Sequence, residues 1–453
     1  MNNNINDNIF RAYDIRGIYG TDLKDEDAYF IGKAFGTILK RMNKKTTIVG
    51  YDNRVSSLPL FDYLTKGITE TGIDVINIGL VTTPMHYYSC HLLKIDSGIM
   101  ITASHNPKEY NGFKFSFNGI YNACGEEIEE FRNFIKSNDF ELGQGKIINR
   151  DIKESYINYT ISSINLGNRK LKIVVDSANG TSSIVIKDIL DKLNIDYIPL
   201  FIDSDPNFPN HHPDPSVYSN LKTLSETVIK EESDVGFGYD GDADRLGLVD
   251  EFGKVIPIDH FMIIIIRDII NKLEDKRILF DVKCSKSLED EIIKLGGTPI
   301  LSRTGASYLK KKIFGEKILF GGELSGHVYF NERFLGYDDG IYASLRMIEI
   351  LSNTDKNISE LLEGINHYYS TPELKMRFTD ETKFDIIEKV EEYCTSKNYY
   401  FSDIDGCKVI FEDGFALIRA SNTGPNITMR FEAKTEERMN IIKKEFIEFL
   451  ENI

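Results

Sequence analysis

Short apolar runs that end in aspartate recur three times along this chain. They are Thr47–Asp52, Lys172–Asp176 and Arg277–Asp281, and each is followed by small polar residues and then by a helical spacing of apolar positions. Alternating strands and helices predict α/β layers with largely parallel sheets. The runs lie roughly 105–125 residues apart, a spacing typical of whole domains.

Each repeat continues with a second apolar run and then with a third run that leads into a polar loop. The second runs are Val75–Ile78, Tyr197–Phe201 and Pro299–Leu301, and the third runs are Gly98–Ile101, Val235–Tyr239 and Ile318–Phe320. Because parallel sheets bind ligands at the carboxyl ends of their strands, we expect the three loops to meet in one cleft.

The pattern changes at about residue 368, where a smaller α+β module is predicted. Its expected strands are Leu374–Phe378, Cys407–Phe411, Phe415–Arg419 and Ile427–Phe431, and its expected helices are Glu381–Cys394 and Glu436–Leu450. The predicted architecture is three α/β/α domains of similar plan and a C-terminal α+β domain around a central active-site cleft. The expected domains are residues 1–150, 151–254, 255–367 and 368–453.

The composition, 41% hydrophobic and 27% charged residues, is that of a soluble globular protein. A net charge of −16 argues against nucleic acid and anionic membrane surfaces as partners. The apolar run Phe261–Ile266 is too short to span a bilayer, and the polar N-terminus lacks a signal-peptide pattern. Five scattered cysteines without a CxxC pair favour a reduced, cytoplasmic protein without structural zinc.

The loop Thr102–Lys114 carries the first candidate chemistry. Ser104, next to His105 at the end of an apolar strand, is placed to act as a nucleophile or a phosphoryl carrier. Taken alone, the loop also fits an ordinary Ser or Asx turn. Comparable polar loops in the other repeats favour the functional interpretation.

The second loop, Asp240–Arg245, places carboxylates at alternate positions of a glycine-containing turn. Asp240, Asp242 and Asp244 can direct their oxygens at one point, as a hard divalent cation such as Mg²⁺ requires. An EF-hand does not fit, because Arg245 stands where that loop needs glycine and because strands flank the turn. The alternative is a solvated acidic turn, which the apolar runs on both sides disfavour.

Two further loops suit a phosphorylated sugar. The loop Gly321–His327 presents a carboxylate, a hydroxyl and a titratable ring, which suit a polyhydroxylated ligand. The loop Arg419–Asn426, with Arg430 on the next strand, combines backbone amides, hydroxyls and arginines into a phosphate cradle. Each loop alone also fits a plain turn.

In this order the four loops resemble the α-D-phosphohexomutase superfamily, and their variants resemble its phosphomannomutase/phosphoglucomutase branch. The likeness rests on Thr-Ala-Ser-His-Asn-Pro, Asp-Gly-Asp-Ala-Asp-Arg, Gly-Glu-Leu-Ser-Gly-His and Arg-Ala-Ser-Asn-Thr, and it covers essentially the whole chain from Arg11. It implies an isomerase that interconverts hexose 6-phosphate and hexose 1-phosphate of mannose or glucose. The implied route is a phosphoserine enzyme and a hexose 1,6-bisphosphate, which is both intermediate and activator.

The resemblance also implies residue roles. Ser104 would carry the phosphoryl group and, with Asp240, Asp242 and Asp244, would hold one Mg²⁺ per subunit. The further catalytic candidates are Arg16, His105, Lys114, Arg245 and His327. The substrate-binding candidates are Tyr13, Lys283, Glu323, Ser325, His327, Arg419, Ser421, Asn422, Thr423 and Arg430.

One departure from the family pattern leaves the proton-transfer group open. Related sequences commonly carry a histidine after the Thr-Gly of the third domain, whereas Ala306 stands at that position here. The role of the missing histidine would be absent or would pass to His327, Lys114 or His105.

The sequence leaves alternatives open for the sugar substrate and for the functional class of the protein. An apolar Leu324 in the third loop implies phosphates of both mannose and glucose, whereas glutamine there is typical of phosphoglucosamine mutases, which are the alternative. A serine hydrolase using Ser104 and His105 would not need the aspartate cluster. A non-catalytic sugar-phosphate binding protein would not need an intact nucleophile. The sequence does not decide between a monomer and a homodimer.

Overall fold

The first domain of the computed structural model is built on a six-stranded sheet; the structure describes residues 5–119, 121–379, 382–421 and 426–453. Its strands are β1 (Ile15–Ile18), β2 (Thr46–Tyr51), β3 (Asp74–Leu80), β4 (Gly98–Ile101), β5 (Tyr110–Ser116) and β6 (Ile147–Asn149). Its helices are α1 (Asp25–Arg41), α2 (Ser57–Thr69), α3 (Thr83–Leu93) and α4 (Glu126–Ser137). The strand order is β1-β5-β4-β2-β3-β6, and β5 is antiparallel to both of its neighbours.

The second domain repeats this plan around the sheet order β11-β10-β9-β7-β8. Its strands are β7 (Lys172–Asp176), β8 (Asp196–Leu200), β9 (Val235–Tyr239), β10 (Leu246–Val249) and β11 (Val255–Ile256). Its helices are α5 (Lys153–Ser162), α6 (Ile186–Lys192) and α7 (Lys222–Lys230). Every residue of β9 and β10 is buried, so the turn between these strands is held in the protein interior.

The third domain has the sheet order β13-β12-β14-β15. Its strands are β12 (Arg277–Asp281), β13 (Thr298–Ser302), β14 (Phe320–Gly322) and β15 (Val328–Phe330). Its helices are α8 (Ile258–Ile269), α9 (Lys286–Lys294), α10 (Ala306–Glu316), α11 (Gly340–Ser352) and α12 (Ile358–Leu361). Side chains that accept hydrogen bonds from first-turn amides begin two of these helices, Ser285 at α9 and Asp339 at α11.

The fourth domain is an antiparallel sheet covered by two helices. Its strands are β16 (Tyr369–Ser370), β17 (Leu374–Arg377), β18 (Phe401–Ser402), β19 (Cys407–Phe411), β20 (Gly414–Ala420) and β21 (Asn426–Ala433). Its helices are α13 (Lys383–Ser396) and α14 (Glu436–Glu451). The strand order is β16-β21-β20-β19-β18, with β17 also paired to β21.

The hydrophobic core is not divided evenly among the four domains. One cluster of buried apolar residues runs from α3 of the first domain through β7 and β9 of the second to α8 and α11 of the third. The fourth domain has a separate core between its sheet and its two helices. It meets the third domain through a small cluster of Val282, Phe415 and Leu417. The first three domains therefore form one packed body, and the fourth is attached to it more lightly.

The predicted α/β/α and α+β classes are confirmed, and one predicted strand is wrong in position. The apolar run Ile318–Phe320 suggested a strand, but β14 begins at Phe320, because its pairing with β12 continues through Gly321 and Gly322. The predicted domain boundaries stay predictions, although the second sheet includes β11, beyond residue 254. Among the described residues, no helix is both long and apolar enough to cross a membrane.

Candidate active site

Ser104 lies in the tight loop between β4 and β5 and is almost fully buried. Its φ of +49° is in the left-handed region, which a non-glycine residue keeps only with support from its surroundings. Its amide donates to Thr102 Oγ1 (2.8 Å), and Arg54 donates to its carbonyl oxygen (2.8 Å). The same guanidinium donates to the carbonyl oxygens of Asn106 and Pro107, so one buried arginine holds the loop.

The carboxylates of Asp240, Asp242 and Asp244 are buried in the turn between β9 and β10. One oxygen of each lies within 4.8 Å of the others. Among the described residues, Oδ1 of Asp242 and Oδ1 of Asp244 have no hydrogen-bond partner. Because buried carboxylate oxygens are costly without a donor or a cation, this set fits a hard divalent metal ion.

Ser104 and this aspartate triad meet across the boundary between the first two domains. The serine Oγ donates to Asp240 Oδ2 at 2.8 Å. A side-chain carbon at Gly241 would lie 2.6 Å from the Ser104 carbonyl oxygen, so only glycine allows this approach. Burial and the Asp242 and Asp244 carboxylates raise the pKa of Asp240 well above its ordinary value. A cation held by the triad would therefore also reach a group carried on the serine oxygen.

Lys114, on β5, enters the triad from the first domain. Its Nζ lies 2.7 Å from Asp242 Oδ2 and 2.6 Å from Asp244 Oδ2. Burial opposes its charge, but these two carboxylates hold the pKa of Lys114 well above its ordinary value. Burial likewise opposes ionisation of Asp242 and Asp244, yet the lysine keeps the pKa of both below the ordinary value. The two carboxylates are therefore ionised and partly neutralised by Lys114.

His327 lies at the end of the third loop between charged partners from two domains. Arg245 Nε donates to His327 Nε2 (3.0 Å), which makes Nε2 the accepting nitrogen of the ring. In the neutral ring the proton is then on Nδ1, which lies 2.8 Å from Asp338 Oδ2. Burial opposes ionisation of Asp338, but buried Lys310, 2.9 Å away, and His327 hold its pKa below the ordinary value. The ionised Asp338 therefore lies as a negative charge beside the His327 ring.

His105 and Arg16 contact the serine loop itself. His105 Nδ1 is 3.3 Å from Ser104 Oγ. Burial and the nearby Arg245 guanidinium lower the pKa of His105 well below its ordinary value, so the ring is neutral at neutral pH. Arg16 Nη1 donates to Asn106 Oδ1 (2.8 Å), which places a cation beside the loop.

The sugar-loop candidates occupy the turn from β14 to β15. Glu323 is almost fully buried, and its Oε1 accepts a hydrogen bond from the Gly305 amide at 2.6 Å. Burial raises the pKa of Glu323, against the effect of the nearby His327. Ser325 is half-buried in the same turn, and Gly326 closes it with a φ of +112°.

Tyr13 and Lys283 flank this sugar loop. A side-chain carbon at Gly305 would lie 3.3 Å from the Tyr13 ring, which therefore reaches from the first domain to the third. Burial and the adjacent Asp14 carboxylate raise the pKa of Tyr13. Lys283 Nζ lies 3.7 Å from Asp281 Oδ2 at the carboxyl end of β12.

The two arginines predicted to bind phosphate, Arg419 and Arg430, lie on one face of the fourth sheet. Arg419 on β20 is paired with Thr428 on β21, two residues before Arg430, so both side chains project from the same face. Arg430 donates to the carbonyl oxygen of Lys283 in the third domain. Arg419 instead pairs with Asp405, Nε to Oδ2 at 3.0 Å. Ser421 is buried just after β20, and the predicted ligands Asn422 and Thr423 lie outside the described residues.

The sequence did not identify four charged residues that organise this site. Arg54 follows the aspartate that ends the first apolar run, and Asp338 belongs to an Asp-Asp pair before α11. Asp405 belongs to an Asp-Gly turn before β19, whereas Lys310 lies within α10 without a distinctive neighbour. The first three signals are too common in turns and helix starts to single out a site.

Family models match all four domains of this chain. They are the phosphoglucomutase/phosphomannomutase alpha/beta/alpha domain I at residues 7–142, domain II at 154–253, domain III at 257–368, and the C-terminal domain at 373–449. Together they account for most of the sequence, in the order that the four sheets follow.

Relatives resemble the chain over nearly its full length. A phosphomannomutase/phosphoglucomutase of Pseudomonas putida is 39% identical over 440 residues, 97% of this chain and 95% of that protein. A phosphoglucomutase of Neisseria gonorrhoeae is 37% identical over 98% of this chain and 97% of its own length. The crystal structure of a phosphoglucomutase/phosphomannomutase family protein from Burkholderia thailandensis superimposes with a TM-score of 0.91 at 34% identity, covering 98% and 97% of the two chains. Because family models match all four domains and relatives match nearly the whole chain, this chain belongs to the phosphoglucomutase/phosphomannomutase family of α-D-phosphohexomutases.

Proposed function

We propose that this protein is a phosphohexomutase that interconverts the 1-phosphate and the 6-phosphate of mannose and glucose. The observation that carries the proposal is the 2.8 Å hydrogen bond from Ser104 Oγ to Asp240 Oδ2. It joins a buried nucleophile to a cluster of carboxylates suited to a cation. Relatives named phosphomannomutase/phosphoglucomutase, 39% identical over 97% of the chain, support the same reaction.

Ser104 is the phosphoryl carrier in this proposal. In the first half-reaction the Oγ–P bond breaks while a bond forms from phosphorus to a free hydroxyl oxygen of the bound hexose monophosphate. The hydroxyl proton passes to a base, and the product is hexose 1,6-bisphosphate. The bisphosphate then turns over in the cleft, and its other phosphoryl group returns to Ser104. The same bisphosphate activates enzyme that has lost its phosphoryl group.

The aspartate triad would hold Mg²⁺ together with an oxygen of the phosphoryl group on Ser104. When bound, the ion offsets negative charge on the transferring group. Lys114 and Arg245 add positive charge at the same place, because Lys114 contacts two triad carboxylates and the Arg245 side chain lies 3.8 Å from Asp240. The first and second domains thus place these two cations beside one phosphoryl position.

Proton transfer has three candidates within the described site. His105 is neutral and lies 3.3 Å from the serine oxygen. His327 offers Nε2, now accepting from Arg245, and Lys114 is held protonated by the triad. Because Ala306 replaces the histidine that is usual in related sequences, comparison of His105→Gln, His327→Gln and Lys114→Met by their kcat–pH profiles assigns the acid and the base.

The substrate's non-reacting phosphate would be held by the fourth domain, through Arg419, Ser421, Asn422, Thr423 and Arg430. Glu323 and Ser325 would read sugar hydroxyls, with Tyr13, Arg16 and Lys283 around them. Because the fourth domain would bind the non-reacting phosphate whether it is on C1 or on C6, the same sugar phosphate could bind in either orientation. Closure of the fourth domain would exclude water that otherwise hydrolyses phosphoserine.

Leu324 supports mannose and glucose rather than glucosamine as the sugar. It lies between Glu323 and Ser325, its amide donates to Asp281 Oδ1 (3.1 Å), and its side chain packs on the main core. A packed leucine offers no hydrogen bond to an amino group, and the bulk of an acetamide would oppose closure.

The deciding experiment is a coupled assay of kcat/KM on the 1- and 6-phosphates of mannose, glucose, glucosamine and N-acetylglucosamine, with Mg²⁺ and bisphosphate held constant. We expect mannose and glucose phosphates to be the best substrates, and intact-protein mass spectrometry to find one phosphoryl group that Ser104→Ala removes. Glucosamine 6-phosphate as the best substrate would overturn the sugar assignment. Full activity of Ser104→Ala would overturn the mechanism.

A further inference from the structure

Asp405 lies where the fourth domain meets the third, and the proposed function leaves it without a role. It is in the turn between β18 and β19, and its side chain and that of Arg419 are each only 8% exposed. A buried aspartate needs partners for both oxygens, and the identity of these partners shows what the residue connects.

The Asp405 carboxylate has partners in two domains. Arg419 donates from Nε to Oδ2 (3.0 Å) and from Nη2 to Oδ1 (3.3 Å). The amide of Thr304, between β13 and α10 of the third domain, donates to the same Oδ2 at 2.9 Å. One carboxylate therefore holds the candidate distal-phosphate arginine and the backbone of the neighbouring domain at once.

The backbone that Asp405 holds leads directly to the candidate sugar-binding carboxylate. Thr304 Oγ1 donates to Asp281 Oδ2 at 3.2 Å, and the next amide, that of Gly305, donates to Glu323 Oε1 at 2.6 Å. Gly305 has a φ of +130°, which glycine adopts without strain. The segment is thus hydrogen-bonded on consecutive residues to Asp405 and to Glu323.

The turn that carries Asp405 is pressed against the strand that carries Arg419. Gly406 has a φ of +76°, and a side-chain carbon there would lie 2.4 Å from the Ile418 carbonyl oxygen and 2.7 Å from Arg419 Cα. The close packing of these two backbone segments therefore holds the Asp405 carboxylate near the Arg419 guanidinium.

We propose that Asp405 is a positioning residue that couples capture of the substrate's distal phosphate by Arg419 to the placement of Glu323 on the sugar. The inference rests on the proposed function and deepens it. The ion pair orients the guanidinium while engaging two of its five N–H donors, so three can face a phosphate. The same carboxylate fixes the Thr304 amide only when the fourth domain lies against the third.

The test compares Asp405→Asn with Asp413→Asn in steady-state assays on glucose 1-phosphate and mannose 1-phosphate. Asp413 is a matched control in the same domain, because it also accepts a hydrogen bond from an arginine Nε (Arg438, 3.1 Å). Unlike the buried Asp405–Arg419 pair, this pair is exposed, with 39% of the Asp413 side chain and 35% of the Arg438 side chain accessible. For Asp405→Asn we expect KM to rise about tenfold while kcat changes less than about threefold, since only binding interactions are lost. Asp413→Asn should match the wild type in both constants.

A second measurement separates positioning from simple stability. Combining Asp405→Asn with Glu323→Gln should raise KM by less than the product of the two single effects, because both act through the Thr304–Gly305 segment. Asp405→Glu, which keeps the charge, should restore part of the loss, and the urea midpoints of all variants are measured alongside. Two results would overturn the inference. One is a lower urea midpoint of Asp405→Asn with reduced kcat and unchanged KM; the other is a KM of the double variant equal to the product of the two single effects.

The outcome also distinguishes this inference from the function on which it rests. Wild-type protein that isomerises hexose phosphates while Asp405→Asn retains wild-type KM values overturns the role of Asp405 alone. Wild-type protein that neither isomerises them nor carries a phosphoryl group on Ser104 overturns the proposed function and this inference together.

Discussion

Among single residues, Asp242 has the most partners within the aspartate triad. Its Oδ2 accepts from Thr83 Oγ1 (2.5 Å), Lys114 Nζ (2.7 Å) and, more weakly, Thr102 Oγ1 (3.3 Å), while Oδ1 has no partner among the described residues. Asp242→Asn keeps the shape but removes the charge that a cation needs. We expect turnover to fall roughly 10²–10³-fold with little change in substrate KM, because in the proposed function the distal phosphate would be held by the fourth domain.

Steady-state kinetics over a range of Mg²⁺ concentrations check this prediction. The control is Asp188→Asn in the same domain, an exposed aspartate paired with Lys153 at 2.8 Å. Near-normal, metal-dependent turnover of Asp242→Asn would show that the triad is not the cation site.

His211 gives the second domain a stability that depends on pH. Its Nε2 lies 2.9 Å from Asp176 Oδ2 and its Nδ1 lies 2.9 Å from the His212 carbonyl oxygen, so both nitrogens face acceptors. Burial opposes the charged ring, but Asp176 outweighs it and raises the pKa of His211 above the ordinary value. The stabilisation is therefore complete below the unfolded-state pKa and is lost as pH rises through the folded-state pKa.

We expect His211→Gln to lower the free energy of unfolding more at about pH 5.5 than at about pH 8.5. Urea unfolding at the two values measures this difference, with exposed His91→Gln as the control. A larger loss at the higher pH would contradict the assignment.

At the scale of elements, the β4–β5 loop depends on one arginine that comes from another strand end. Arg54 donates to the carbonyl oxygens of Ser104, Asn106, Pro107 and Tyr110 and is anchored by Asp52 at 3.1 Å. Arg54→Met would remove a donor from each of these carbonyls and leave the buried Asp52 without its charged partner. We expect a loss of about 3–5 kcal/mol in stability, as for other broken buried ion pairs.

Chemical unfolding and turnover of Arg54→Met and Arg54→Lys test this role. The Arg54→Lys variant should recover only part of the lost stability, because an ammonium group does not present the planar set of N–H donors of a guanidinium. Arg41→Lys, in an exposed pair with Glu141, is the control. Wild-type stability and turnover in Arg54→Met would show that the loop keeps its shape without the arginine.

At the scale of the whole molecule, the four domains differ in how firmly they are joined. One core cluster spans the first three domains, in addition to the first domain's own core, whereas the fourth domain meets the third through Val282, Phe415 and Leu417 and a few hydrogen bonds. Among these, Lys408 Nζ donates to the Val282 carbonyl oxygen (2.8 Å) and the Lys286 amide donates to Glu432 Oε1 (2.7 Å). The fourth domain should therefore open more readily than the others separate.

Hydrogen exchange measured by mass spectrometry tests this expectation. Without ligand, amides at the contact, including that of Lys286, should exchange faster than those of β9 and α8 in the shared core. Glucose 1,6-bisphosphate should slow exchange at the contact, because its phosphates would bridge the fourth domain and the others. Equal protection in all four domains, unchanged by ligand, would rule out independent opening.

The local pattern of apolar and polar residues was enough to locate most strands and helices and to identify the loops with candidate chemistry. The strands Gly98–Ile101, Lys172–Asp176 and Val235–Tyr239 have the limits that their apolar runs predict. The limits are readable because burial on both faces of a parallel sheet demands a continuous apolar run. The strand predicted at Ile318–Phe320 was displaced because glycines carry no hydrophobic signal, and only pairing with β12 shows that Gly321 and Gly322 are extended.

The sequence by itself determined the order of strands, helices and loops, and which loops carry a serine, a carboxylate triad and a predicted phosphate cradle. Only the tertiary structure decided which charges meet: Asp338 with His327, Asp405 with Arg419, and Arg54 with the serine loop. These partners come from segments far apart in the chain or from turns whose composition is ordinary. The physical reason is that periodicity records local burial, whereas the partner of a buried charge is chosen by the packing of whole domains.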